Sequence, residues 1–229
     1  MTRPRLWMMA LAVTLLAACT SEASAKPVPT PNWVTAPHPA QLEVTPARAQ
    51  EIVAGCGRSF NNDVTGSLYN LVGTPDKGWA LIYSRARVLV CELNGDGGPY
   101  NAGGGGGEPL AESLNWVPVP FQVDDDSAGI REGNGSYRVV AGRVAPGTRG
   151  VTVTVGNQTQ WAQTVNGTFL VAFDTKRTSA AAPRISAVTA DGIADPGENS
   201  PPCLLTPDGH RIDLDGSNAT RCAPAVRWR

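Results

Sequence analysis

Between residues 151 and 173, apolar and polar positions alternate. Val151-Thr152-Val153-Thr154-Val155 keeps a period of two without error, and Phe169, Val171 and Phe173 repeat it. Successive side chains of a strand point to opposite faces, so this pattern predicts strands with one buried face. Gly156-Asn157 and Asn166-Gly167 punctuate the run. Asn-Gly between such runs marks a tight hairpin, because both central residues need positive φ. Tyr137 to Val144 and Arg184 to Thr189 read as further strands. The spacing predicts a small antiparallel β-sandwich over residues 116–195, with Trp161, Val165, Phe169, Val171 and Phe173 prominent in its core.

Upstream the period changes. Ala49, Ile52, Val53 and Cys56 fall at i, i+3, i+4 and i+7, which places them on one face of a helix. Thr45 is suited to the N-cap and Pro46 to the first turn. Gly55 and Gly57 are expected to stop the helix. Strands are expected over 79–84 and 87–93, with Leu89, Cys91 and Leu93 on one face. Cys91 then points toward a helix that carries Cys56. Residues 46–95 thus read as a helix-and-hairpin subdomain. Residues 94–108 read as a loop, and 96–115 as a Gly-rich linker with five consecutive glycines at 103–107. A phosphate-cradling loop needs Gly-Lys-Ser/Thr next; Glu108-Pro109 stands there instead.

The N-terminus changes the picture most. Arg3 and Arg5 precede an uncharged apolar run from Leu6 to Ala18. That run is shorter than the roughly 20 residues of a membrane-spanning helix and fits a signal peptide over residues 1–18. It ends in Leu16-Ala17-Ala18-Cys19, which resembles the lipobox of bacterial lipoprotein precursors at all four positions. The resemblance implies cleavage before Cys19, acylation of its thiol and attachment to the cell membrane on its extracytoplasmic face. An ordinary secretory signal cut after Ala23 or Ala25 is the alternative; it shares export and lacks the anchor. Residues 19–45, with Pro27, Pro29, Pro31, Pro37 and Pro39, read as a tether.

The predicted fold class is therefore mainly β: a sandwich plus an N-terminal helix and hairpin, stapled by disulfides. The segments Gly142-Arg143-Val144, Val151-Thr152-Val153 and Gly167-Thr168-Phe169 resemble secreted lipoproteins of actinobacteria with an immunoglobulin-like β region. That group implies an immunoglobulin-like fold and no activity.

Beyond Cys19, four cysteines remain. An even number in an exported chain implies disulfides, with three possible connectivities. Nearest-neighbour pairing fits the layout: Cys56–Cys91 joins helix to hairpin, and Cys203–Cys222 closes the C-terminal segment, residues 196–229. No Cys-x-x-Cys is present for redox work or for close-spaced zinc ligands.

Composition narrows the function. The hydrophobic fraction of 41% supports a core. The net charge is −1, or −3 without Arg3 and Arg5, so nothing electrostatic points to nucleic acid. The two histidines, His38 between tether prolines and His210 after a Pro-Asp-Gly turn, do not form a triad, and no Gly-x-Ser-x-Gly elbow occurs. Asp124-Asp125-Asp126 and the set Asp213, Asp215, Asn218 are weak calcium candidates, the latter without the acid that closes an EF-hand. Solvated turns explain both sets as well. No catalytic residue, cofactor or resident metal is expected. The expected function is a non-enzymatic binding or structural module of the cell envelope. Its partners would be the membrane, through the lipid, and an envelope protein or glycan. An envelope-acting hydrolase using Asp and Glu residues is the alternative. A solute-binding lipoprotein would need two α/β lobes and more chain.

Overall fold

The computed structural model describes residues 44–59, 66–74, 77–84, 87–93, 99–101, 113–130, 135–175, 182–195, 201–215 and 219–228. Cys19, His38 and nearly all of the tether lie outside them. The described chain is mainly β, with one α-helix and several mostly antiparallel sheets.

Helix α1 spans Pro46–Ser59. Thr45 caps it: the Arg48 amide donates to Thr45 Oγ1 at 3.3 Å, and the Ala49 amide to the Thr45 carbonyl at 2.9 Å. The helix runs through Gly55 and Gly57 instead of stopping there. Both glycines are buried, so the packing of this face against the neighbouring sheet outweighs their poor helix propensity.

Four sheets follow. The first pairs β1 (Gly66–Gly73), β2 (Gly78–Ser84), β3 (Val88–Leu93) and β4 (Pro99–Asn101) in chain order. Strand β4 lies inside the stretch expected to be loop; it continues the ladder on the free edge of β3. A 3-10 turn (Ser113–Asn115) leads to β5 (Trp116–Pro118) and then β6 (Phe121–Ile130). Beyond these come β7 (Ser136–Val144), β8 (Gly150–Val155), β9 (Gln158–Gln163), β10 (Thr168–Thr175), β11 (Arg184–Thr189) and β12 (Gly192–Ala194). The second sheet has the order β10-β7-β6 and the third β12-β11-β8-β9. The C-terminal strands β13 (Cys203–Leu205), β14 (Arg211–Asp213) and β15 (Ala223–Arg227) join β5 in a fourth sheet, ordered β14-β13-β15-β5, in which β13 and β15 run parallel.

The second and third sheets form the sandwich. Phe121, Val140, Phe169, Val171 and Phe173 meet Val151, Val153, Val155, Ala162, Ile185 and Ala187 in one core. The opposite face of the second sheet is also buried. Tyr137, Val139, Ala141 and Leu170 pack there against Trp79, Leu81, Tyr83, Val88 and Val90 of the first sheet. The far face of the first sheet, with Ala80, Ile82 and Leu89, packs on Ile52, Val53 and Cys56 of α1. The result is a stack: helix, first sheet, second sheet, third sheet. All nine residues of β7 are buried because that strand lies inside the stack.

Two expected core residues sit elsewhere. Trp161 pairs with Thr152, whose parity puts it on the outer face of β8, and it covers Gly150 there. Val165 is half-buried in an isolated bridge to Thr168 at the hairpin. The hairpin itself forms as expected: Asn166 has φ 50° and Gly167 φ 69°.

Candidate binding site

Helix α1 does not cover the whole face of the first sheet. Between its exposed side and the edge strand β1 lies a cleft of about 890 Å³. Pro46, Ala49, Gln50, Val53 and Ala54 form one wall; Gly66, Ser67, Leu68, Tyr69, Tyr83 and Ser84 form the other. None of these side chains carries a formal charge. Gly66 allows β1 to approach β2 closely: a Cβ there would stand 2.8 Å from the Tyr83 carbonyl oxygen. The β1–β2 register shifts between Leu68 and Asn70, and the Tyr69 ring packs toward the second sheet.

Three aromatic rings meet behind the cleft. Tyr69 stands edge-on to Tyr83 at 4.9 Å between centroids and stacks on Trp228 at 5.4 Å. Trp228 also meets Tyr83 at 4.9 Å. Asn166 Nδ2 donates to the Tyr69 carbonyl at 2.9 Å, and Asn70 Nδ2 to Thr168 Oγ1 at 3.2 Å. The hairpin of the sandwich is thereby tied to the strand that borders the cleft.

Beneath the rings lies a buried ion pair. Arg143 donates from Nε to Asp124 Oδ2 at 2.8 Å and from Nη2 to Asp124 Oδ1 at 2.7 Å. Its Nη1 donates to the carbonyls of Ser113 and Trp116 at 2.8 and 2.7 Å. The guanidinium also lies 5.4 Å from the Trp228 ring centroid. The Tyr83 hydroxyl donates to Asp124 Oδ2 at 2.7 Å. Burial, reinforced by the Asp124 charge, raises the Tyr83 pKa well above its usual value, so this hydroxyl stays protonated. For Arg143, burial lowers the proton affinity, but the Asp124 carboxylate more than offsets it. The network locks Tyr83, at the base of the cleft, to the second sheet.

The acidic triplet is thus divided. Asp124 serves Arg143 and Tyr83. Asp126 receives Arg138 Nε and Nη2, both at 2.7 Å. Asp125 is buried, accepts from Ser127 Oγ at 2.9 Å, and leaves Oδ2 without a partner. Burial raises the Asp125 pKa to about 7, with Asp126 and Asp124 adding to the rise and Ser127 opposing it. That value suits a general acid, but Asp125 does not line the α1–β1 cleft or the two smaller hollows described among these residues. Of the second acidic set, Asp213 accepts from Arg211 Nε and Nη2, Asp215 is exposed, and Asn218 lies outside the described residues. Among the described residues no group of three metal-ligating side chains occurs. His210 is exposed next to the turn Thr206–Gly209, its amide donating to Thr206 Oγ1 at 2.9 Å. The disulfides Cys56–Cys91 and Cys203–Cys222 are formed, with Cα separations of 6.1 and 4.6 Å.

Sequence reasoning missed Tyr69, Tyr83, Trp228 and Arg143. One signal was available for Arg143. An arginine within the apolar strand Tyr137–Val144 requires a buried counter-charge, and the triplet at 124–126 was one available source. Nothing local announced the aromatic trio, whose members come from β1, β2 and the residue after β15. Comparison with family models, curated proteins and solved structures finds no match to this chain.

Proposed function

We propose that the protein is an exported, lipid-anchored, non-enzymatic binding module of the cell envelope. Its ligand site is the cleft between α1 and β1, and the ligand is an uncharged chain with acceptor oxygens on an apolar body. The observation that carries this reading is a cleft of about 890 Å³ whose described lining residues, two tyrosines among them, carry no formal charge. An apolar hollow with a few polar groups is the usual form of a small-ligand site, and an unpaired charge is costly to desolvate in such a place. A neutral envelope glycan has this chemistry. The lipobox-like Leu16-Ala17-Ala18-Cys19 supports the anchor. The two disulfides support an oxidising compartment. The hydrolase reading has less behind it: Asp124 and Asp126 are held by arginines, and none of the described cleft residues is a carboxylate.

Two measurements test the proposal. Cell fractionation should find the wild type in the membrane, and Cys19→Ala either released or retained as uncut precursor; an acylated, membrane-bound Cys19→Ala protein sinks the anchor. In NMR titrations, a neutral hexasaccharide should shift the resonances of Tyr69 and Ser67, and its uronic-acid counterpart should shift them less. Equal shifts by both sugars, or none by either, would overturn the ligand class.

A further inference from the structure

On one side of the sandwich the second sheet ends in β6 and the third in β12. Between those ends lies a hollow of about 410 Å³ that shares no residue with the α1–β1 cleft. Val119 and Pro120, just before β6, line it together with Ala145 and Pro146 of the β7–β8 turn and the hairpin Thr189–Ala194. Val119 and Ile193 are exposed large apolar side chains among these residues. The walls are tied together: the Ala145 amide donates to the Pro120 carbonyl at 2.9 Å, and the Arg149 amide to the Val188 carbonyl at 2.7 Å. A site held in this way needs little ordering when a partner binds.

The polar groups of the hollow narrow what fits it. Thr148 Oγ1 donates to the Pro120 carbonyl at 3.0 Å, and Thr189 Oγ1 to the Gly192 carbonyl at 3.2 Å. Both lining hydroxyls donate within the fold, so the wall offered to a ligand is largely apolar. A sugar would lose its water there without replacement. The edge of β12 is different. Ile193 pairs with Val188, whose carbonyl is turned toward β8 by its bond from Arg149. Residues of an antiparallel ladder bond their two neighbours alternately, so the N–H and C=O of Ile193 point away from β11. Neither bonds another described residue. A partner that satisfies this edge carries a backbone, and one that fills the hollow carries apolar side chains; an extended peptide does both. In such a strand the residue opposite Ile193 shares its outer face, and the residues on either side point inward. Inward is the side of Ala194, which pairs with Ala187 of the sandwich core and lines the hollow. Asp191, the one charged side chain among the described lining residues, favours a basic residue at the end of the peptide.

We propose that the β12 edge and this hollow form a docking site for an extended peptide segment of a partner protein, with aliphatic residues at alternate positions and a basic residue beside Asp191. The segment adds to the third sheet as an antiparallel strand. The site is separate from the α1–β1 cleft, so its test leaves the proposed function untouched.

The test is an NMR titration of the isotope-labelled exported chain carrying Cys19→Ser, which keeps it in water, with the end-blocked peptide Lys-Val-Thr-Val-Lys. The Ile193 amide and the Val119 methyl resonances are expected to shift at millimolar peptide. Ile193→Pro removes the outward N–H without breaking a native bond and is tolerated on an edge strand; it should weaken binding about tenfold. Val119→Ser, at an exposed position, should weaken it by a smaller factor. A peptide with proline in place of its threonine should leave Ile193 unshifted, and one with glutamate in place of both lysines should bind less tightly. No shift at Ile193, or equal affinity of the parent, Ile193→Pro and Val119→Ser chains, overturns the inference. So does equal binding of the proline or the glutamate peptide. Ile193 shifts that follow protein concentration without peptide make a second copy the occupant and overturn it as well.

Discussion

Trp228 Nε1 donates to the carbonyl oxygen of Gly167 at 2.7 Å, across a sequence separation of 61 residues. The residue after the last strand therefore closes on the hairpin turn of the sandwich. Gly167 is needed there twice: its φ is +69°, and a Cβ would stand 2.8 Å from Trp228 Nε1. Trp228→Ala removes a large buried ring and should cost about 3–5 kcal/mol in urea unfolding. It should also expose Tyr69 and Tyr83, visible as a change in near-ultraviolet circular dichroism. A Trp228→Ala protein with unaltered stability would show that the ring contacts carry little.

Arg143 and Asp124 should behave as a buried pair. Arg143 is 2% exposed. Arg143→Met strands the Asp124 carboxylate and should cost about 3–5 kcal/mol. The double variant Arg143→Met/Asp124→Leu should recover a large part of that loss, because both charges leave together. A double-mutant cycle in chemical denaturation measures this. Strict additivity of the two losses would refute the coupling.

Asp125 sets a pH dependence with a definite sign. Its pKa rises from 3.8 to about 7 on folding, so between those values the folded state holds a proton that the unfolded state has released. The contribution to stability is fully present below about pH 4 and is lost as pH rises through about 7. Each tenfold in proton affinity is worth about 1.4 kcal/mol, so the loss is at most roughly 4 kcal/mol. Asp125→Asn imitates the protonated form and should flatten this part of the stability profile between pH 4 and 8. A profile that keeps its slope in Asp125→Asn assigns the dependence to another group.

The sandwich core offers a graded test. Phe169 is fully buried between the second and third sheets. Phe169→Ala should cost about 3–5 kcal/mol. Val153→Thr keeps the shape but buries a hydroxyl, and should cost about 1–3 kcal/mol. Trp161→Ala, on the outer face, should cost less than Phe169→Ala. The reverse order in thermal or urea unfolding would mean that Trp161 belongs to the core after all.

The sequence by itself determined the local elements. Strict alternation at 151–155 led to β8, Asn166-Gly167 to its hairpin, Thr45-Pro46 to the start of α1, and the cysteine layout to both disulfides. Each depends on backbone preferences or spacing within a few dozen residues. Tertiary structure decided what those elements face. Strand β7 carries no alternation between buried and exposed positions because sheets pack on both of its sides, so period two cannot tell which residue points to which core. The bulges at Tyr69 and Asp124 shift side-chain parity by one residue, which no local hydrophobic count anticipates. Trp228, Tyr83 and Arg143 meet only because three distant strands close around a buried charge, and such contacts follow from long-range packing rather than local preference.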